Sequence, residues 1–230
     1  MILANRRKNF LQSVPTPEVT QLVNEQFEGP GAVGWFSNTT SPALAWNDTY
    51  NTSPPGALTG SYSAQIESAL TARPNGQKTF SANGNIYCRF LINHQRRSGG
   101  QGVLSTLRDT NGEIVASFGL GNGTNGARMQ VLGASGPTLG GTPATGVTYY
   151  GWFEYEKAAS TSGIARGGYT ETGSAARPTW PLSGVSGLLA VSTGGNRLTN
   201  VTGVMFGRIE ANINYNVIID DIQIQSTPFP

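Results

Sequence analysis

A chain of 230 residues with 31 Gly, 13 Pro and only 12% charged side chains is poor material for long helices; Lys, a good helix former, occurs three times. Four Trp, eight Tyr and nine Phe, with a net charge of +2, exclude a disordered chain. One Cys excludes a disulfide framework and a cysteine-built zinc site, and no apolar run approaches the ~18 residues of a membrane span. Thr, Ser and Asn number 24, 19 and 18, so the composition is that of strands and turns.

The chain opens MILANRRKNFLQSVPTPEV, in which four apolar residues precede the basic cluster Arg6, Arg7 and Lys8. A secretory signal has the opposite order and roughly 7–15 apolar residues, so this segment reads as an arm rather than a leader. Residues 1–20 are expected to be extended, stiffened by Pro15-Thr16-Pro17, with Ile2, Leu3, Phe10 and Leu11 as apolar anchors beside the three cations. Without those cations, 12 basic residues face 13 acidic ones. That leaves no basic stripe for phosphate contacts, which argues against nucleic acid as a partner.

Residues 21–230 read as one domain. Strands are predicted near 22–28, 61–68, 77–81, 85–94, 102–108, 113–120, 127–132, 148–157, 187–192, 202–210 and 215–225. Asp109-Thr110-Asn111-Gly112 predicts a tight hairpin whose Asn-Gly supplies positive φ, and Asn122 to Gly126 a second hairpin. The stretches 30–60 and 158–186 read as long loops over the domain. Alternation in IYCRFLINH puts Ile86, Cys88, Phe90 and Ile92 on the core face, which makes Cys88 a small buried hydrophobe. In TYYGWFEYEK, Tyr149, Gly151, Phe153 and Tyr155 share one face. Tyr150, Trp152, Glu154 and Glu156 share the other, and two carboxylates on it predict that it looks toward solvent.

The segments IYCRFLINH, VLSTLRDTNGEIVASFGL, TYYGWFEYEK and NYNVIIDDIQIQ, taken together, resemble the concanavalin A-like (lectin/glucanase, laminin-G-like) jelly rolls. The opening runs FEGPGAVGW and GSYSAQIES are similar to those of many β-sandwich carbohydrate-binding modules. The resemblance implies an all-β, two-sheet antiparallel jelly-roll β-sandwich, here with an extended N-terminal arm, in which one sheet is often concave and binds glycan.

The chemistry open to such a fold can be weighed residue by residue. Glucanases of the superfamily carry Glu-x-Asp-x-x-Glu; this chain has only Glu154-Tyr155-Glu156. Carboxylates two apart on a strand share a face, and a retaining pair needs about 5–5.5 Å between them. Lyases of this fold use a Tyr/His and Arg/Gln set; the sole His here, His94, is expected at a strand end, solvated, before Gln95, Arg96 and Arg97. No Gly-x-Ser-x-Gly elbow supports a triad. Tyr150 and Trp152 beside Glu154 and Glu156, with Arg89 and Asn93 on the same sheet, form a candidate glycan patch: rings for C–H faces, polar groups for hydroxyls. The opposing reading covers Trp152 with the 158–186 stretch. Glu28, Asp220 and Asp221 are candidate ligands for a structural Ca²⁺, which needs about 6–8 oxygens; no other cofactor is implied.

A glycan-contacting fold without export signal, disulfide or enzyme motif fits a virion protein, made and assembled in a host cytoplasm and working outside it. The sequence therefore reads as a non-enzymatic structural or adhesion protein, a phage head-decoration or tail-associated component. Its arm (Ile2, Leu3, Arg6, Arg7, Lys8, Phe10, Leu11) would bind other structural proteins or a second copy. The alternatives are an extracellular carbohydrate-binding module and a polysaccharide lyase or glycoside hydrolase. No membrane partner is expected.

Overall fold

The alternation expected in IYCRFLINH is met in full: Ile86, Cys88, Phe90 and Ile92 have no solvent exposure. They lie on β5 (Asn85–Gly99), the central strand of the first sheet. The structure is a computed structural model describing residues 19–27, 36–37, 58–60, 63–68, 75–99, 102–120, 127–131, 134–138, 144–157, 164–180, 187–191, 200–207 and 213–230. Residues 1–18 of the N-terminal arm and the Asn122 to Gly126 turn lie outside those residues.

In chain order the other strands are β1 (Gln21–Glu25), β2 (Phe36–Ser37), β3 (Ala64–Ser68), β4 (Asn75–Asn83), β6 (Gly102–Arg108), β7 (Ile114–Leu120) and β8 (Ala127–Val131). They continue with β9 (Ala134–Thr138), β10 (Thr148–Glu156), β11 (Ile164–Glu171), β12 (Gly187–Val191), β13 (Val201–Gly207) and β14 (Ile213–Gln225). Two antiparallel sheets form a β-sandwich jelly roll. One runs β1-β14-β5-β10-β11-β12 with β3 also on β14; the other runs β2-β4-β13-β6-β7-β8-β9.

Long β14 serves two neighbours on one edge. Val217 to Ile219 pair with β3, while Ile222 to Gln225 pair with β1. Between them sits a bulge: Asp220 faces Leu91 and Gln223 faces Arg89, so three steps on β14 match two on β5. Asp221 takes the extra step with φ 44°. The bulge flips the side-chain parity, so Val217, Ile219, Ile222 and Ile224 all reach the core.

From the other sheet come Leu107, Ala116, Phe118, Val204 and Phe206. Phe90 meets Phe206 edge-on at 5.0 Å between ring centroids, and Phe118 lies 6.2 Å from Phe153. Cys88 is a free thiol in this layer, and burial pushes its ionisation far up, away from any nucleophilic role.

Three features differ from expectation. The stretch read as a 158–186 loop contains a full strand, β11, and β9 and the two-residue β2 were also unforeseen. At the Asp109 hairpin only Gly112 has positive φ (77°). Gly112 N–H donates to the Asp109 carbonyl at 3.0 Å, Asp109 N–H to that of Glu113 at 3.0 Å, and the Asp109 carboxylate caps the amides of Asn111 and Glu113. This is a three-residue loop with a glycine bulge rather than a two-residue turn. His94, expected in solvent, is buried within β5, because the strand continues to Gly99.

Gly151 on β10 faces Phe90 directly across the ladder, and a Cβ there would lie 2.3 Å from Phe90 Cε2. With Phe90 fully buried, the ring has nowhere to go. Gly151→Ala is therefore expected to cost about 1–3 kcal/mol by overpacking, and the added penalty should disappear in a Phe90→Leu background. Urea titration of the four proteins of that cycle checks it; additive single effects would mean the two sites do not touch.

Candidate functional site

The outward face of the first sheet carries Tyr87 and Arg89 from β5, Tyr150, Trp152, Glu154 and Glu156 from β10, and Arg166 and Thr170 from β11. In the β10–β11 ladder Glu154 stands opposite Arg166, Tyr150 opposite Thr170, and Trp152 opposite Gly168, whose missing side chain leaves space beside the indole. The expectation that Tyr150, Trp152, Glu154 and Glu156 leave the core is met, but not the expectation of exposure. Trp152 and Glu154 are completely buried, and Tyr150 is half-buried.

Their cover comes from the segment after β11 and from the C-terminal residues. Phe229 packs edge-on against Trp152 at 5.8 Å and, with Tyr87, Tyr150 and Trp180, completes a second small apolar cluster outside the sheet. The Trp152 indole donates to Thr170 Oγ1 at 2.8 Å, so its polar edge is satisfied within the fold. Arg89 ties the cover down. It donates to the Ala175 carbonyl at 3.1 Å and to Gln223 at 2.9 Å, pairs with Asp221 at 3.6 Å, and lies 5.4 and 5.2 Å from the Tyr150 and Phe229 ring centres. Trp152 is thus a structural core residue of this face, and no sugar ring can stack on it in this conformation.

Both carboxylates are engaged by arginine. Arg177 grips Glu154 in a side-on fork, Nε and Nη2 each at 2.8 Å. Arg166 binds both oxygens of Glu156, at 2.5 and 3.2 Å, and reaches Glu154 at 3.5 Å. The Tyr87 hydroxyl donates to Glu156 at 3.0 Å. Burial works to raise the Glu156 pKa, but the hydrogen bonds and charge of Arg166, with the Tyr87 hydroxyl, outweigh it and hold the carboxyl below its ordinary range. A general acid needs the opposite shift. Burial first, then the neighbouring Glu156, pushes Tyr87 up to about 12.

Above this network lies a cavity of about 600 Å³ bounded by Arg166, Arg177, Thr179, Trp180, Phe229 and Pro230, within the ~300–1,000 Å³ of ligand pockets. The Arg177 N–H donates to the Pro230 carbonyl at 3.2 Å, which seats the C-terminal residues as one wall.

The remaining candidates lie elsewhere. Asn93 is buried at the far end of the β5–β10 ladder, donating to the Gly146 carbonyl and Thr148 Oγ1, and it accepts from Gln95. His94 faces the sandwich core, 6.0 Å from the Tyr169 ring, which removes it from any outer-face lyase set. Asp220 accepts from Thr59 N and Oγ1, from Ser63 Oγ and from Asp221 N, all within 2.9 Å. Those donors occupy the lone pairs a Ca²⁺ would need, and Asp221 is turned to Arg89, so this pair does not fit a calcium site. Burial raises the Asp220 pKa, with the four donors offsetting part of the effect. Glu28 and the arm residues Ile2, Leu3, Arg6, Arg7, Lys8, Phe10 and Leu11 lie outside the described residues.

Sequence reading missed Arg166, Arg177, Trp180 and Phe229. The one signal within reach was hairpin pairing of the 148–157 run with 164–171, which places Arg166 across from Glu154.

No protein-family model and no curated sequence matches the chain. Among solved structures, the endo-β-1,4-glucuronan lyase of the fungus Trichoderma reesei is similar over 90% of this chain and 96% of its own, with TM-score 0.56 at 9% identity. The cellulose-induced protein Cip1 gives 0.54 at 18% identity, covering 90% and 98%. A carbohydrate esterase from the Shiga toxin-encoding bacteriophage phi24B gives 0.53 at 11%, covering 90% and 99%. The likeness is one of fold: this chain shares the architecture of carbohydrate-active jelly-roll proteins.

Burial of Trp152 makes Trp152→Ala a core truncation, expected to cost about 3–5 kcal/mol in a denaturant titration, whereas an exposed platform would lose almost nothing. Tyr87 supplies a pH test. Its folded pKa lies above the unfolded value of 10.0, so the folded state holds the proton longer and stability falls as pH rises from about 10 to about 12. Tyr87→Phe should flatten that part of the alkaline stability curve; an unchanged slope would place the hydroxyl in water.

Proposed function

We propose that this chain is a non-enzymatic jelly-roll protein of a virion surface, a head-decoration or tail-associated component. It contacts glycan through the outer face of its first sheet, and residues 1–20 hold it to the particle. The observation that carries the non-enzymatic reading is the state of the two acids. Glu154 and Glu156 stand side by side on β10, as a glycosidase pair would, yet each is held in ion pairs by Arg166 or Arg177. Both carboxylates accept hydrogen bonds from the arginines, and for Glu156 those bonds hold the carboxyl below its ordinary range, the opposite of what delivering a proton to a leaving oxygen requires. What the face offers is binding chemistry: aromatic edges, guanidinium donors and a cavity above them. The names of the similar structures attach their folds to polysaccharides, and one is a bacteriophage protein, which agrees with this reading while the site supplies its content.

The test has two parts. Incubated with neutral and uronic acid polysaccharides, the full chain should be retarded by glycan in affinity electrophoresis while releasing neither reducing ends nor unsaturated uronate. Accumulation of either product would overturn the non-enzymatic reading. For the arm, the three cations and four apolar side chains supply charge and apolar surface with which a neighbouring protein could be gripped. Deleting residues 1–17 should leave the thermal midpoint unchanged and abolish co-sedimentation with capsid or tail particles; equal co-sedimentation would reject the tether.

A further inference from the structure

We infer that the cavity over the Glu154–Arg166–Arg177 network is the glycan site itself, and that it takes an uncharged saccharide rather than an acidic one. This rests on the glycan-contact reading above and gives it an address and a ligand class.

The cavity wall is a row of donors. Arg177 uses one N–H on Nε and one on Nη2 against Glu154, out of the five a guanidinium carries, and among the described residues no other hydrogen bond engages its side chain. Trp180 lines this wall, and its Nε1 is buried behind the ring with no hydrogen-bond partner among the described residues. A buried unsatisfied donor costs about 1–3 kcal/mol, so the site gains when an acceptor oxygen reaches it. The nitrogen is out of water's reach in this conformation, so a ligand engages it by turning the half-buried ring. Thr179 adds a hydroxyl, and Ile164, Pro178, Phe229 and Pro230 supply the apolar faces that sugar C–H groups cover.

Charge selects among the acceptor ligands. Two guanidiniums and two carboxylates sum to zero, and all four are paired at 2.5–3.5 Å. A uronate or phosphate entering here gains no net charge attraction and meets the negative Glu154 and Glu156 beside the arginines; drawing either arginine toward itself would leave Glu154, with no solvent exposure, as an uncompensated buried charge. Hydroxyl and ring oxygens take the spare N–H groups without breaking a pair. This makes the site blind to anionic glycans, and its affinity insensitive to salt.

The experiment is calorimetric titration of the full chain with neutral and uronic acid oligosaccharides chosen from a glycan array, at low and high salt, for wild type, Trp180→Ala and Ile164→Trp. Trp180→Ala removes the donor and one wall, and Ile164→Trp fills the cavity from the edge of β11; a thermal scan of each keeps loss of folding separate from loss of the site. The expected result is binding of neutral oligosaccharides by wild type with less than twofold salt dependence, weakened at least tenfold in both variants. Undiminished binding in both variants would remove the site from this cavity while leaving the glycan-binding reading intact. Preference for acidic oligosaccharides that collapses with salt would overturn the ligand class. A wild type that binds no glycan at all would overturn both the reading and the site.

Discussion

A carboxylate without solvent exposure, Glu154, sits between two arginines on the outward face of a β-sheet, and the arrangement of that face follows from it. Leaving such a charge unpaired costs about 3–5 kcal/mol, so Arg166 and Arg177 are required once Glu154 is covered. Arg166 arrives through the β10–β11 ladder, directly opposite. Arg177 arrives from the segment after β11, and its own backbone N–H holds the Pro230 carbonyl. One side chain therefore commits two separate stretches of chain to lie over the sheet, and the cavity is the space they leave between them.

The cover also explains why β5 and β10 carry buried apolar side chains on both faces, among the charged ones of the outward face. Tyr87 and Trp152 point away from the sandwich core and are still buried. They need a second apolar layer, which Phe229 and Trp180 supply. Arg89 joins the two systems: its charge meets Asp221 at the β14 bulge, its donors reach Ala175 and Gln223, and its plane lies against Tyr150 and Phe229. The bulge thereby becomes part of the site's support, since it places both Asp220 and Asp221 on this side of the strand, where a regular strand would have sent one of them into the core.

Most of the fold was legible from local pattern. Strict alternation in IYCRFLINH and TYYGWFEYEK placed Phe90, Phe153 and their neighbours correctly, and apolar NVIIDDIQIQ marked the closing strand. IARGGYTE was not legible, because its inward positions are Ala165, Gly167 and Tyr169 and its outward ones Arg166, Gly168 and Thr170. Small residues on both faces erase the period-2 signal; the strand is recognised only from its pairing, which sets Gly167 and Gly168 opposite Phe153 and Trp152 of β10. The site failed for a different reason. Two glutamates on a strand face read as solvent-exposed only if no counter-charge comes from afar, and Arg177 lies 23 residues from Glu154 in a stretch without periodicity. His94 was misplaced because β5 runs on past it to Gly99 through a polar sequence.

Hydrogen exchange of the full chain, with and without a neutral oligosaccharide, tests most directly where this sandwich meets glycan. Slower exchange confined to the amides of Arg177, Thr179, Trp180 and Phe229 is the predicted result, because ligand in the cavity pins the two covering segments to the sheet. Protection that appears instead on β4, β6 and β13 of the opposite sheet would place the glycan on the other side of the sandwich and contradict the assignment.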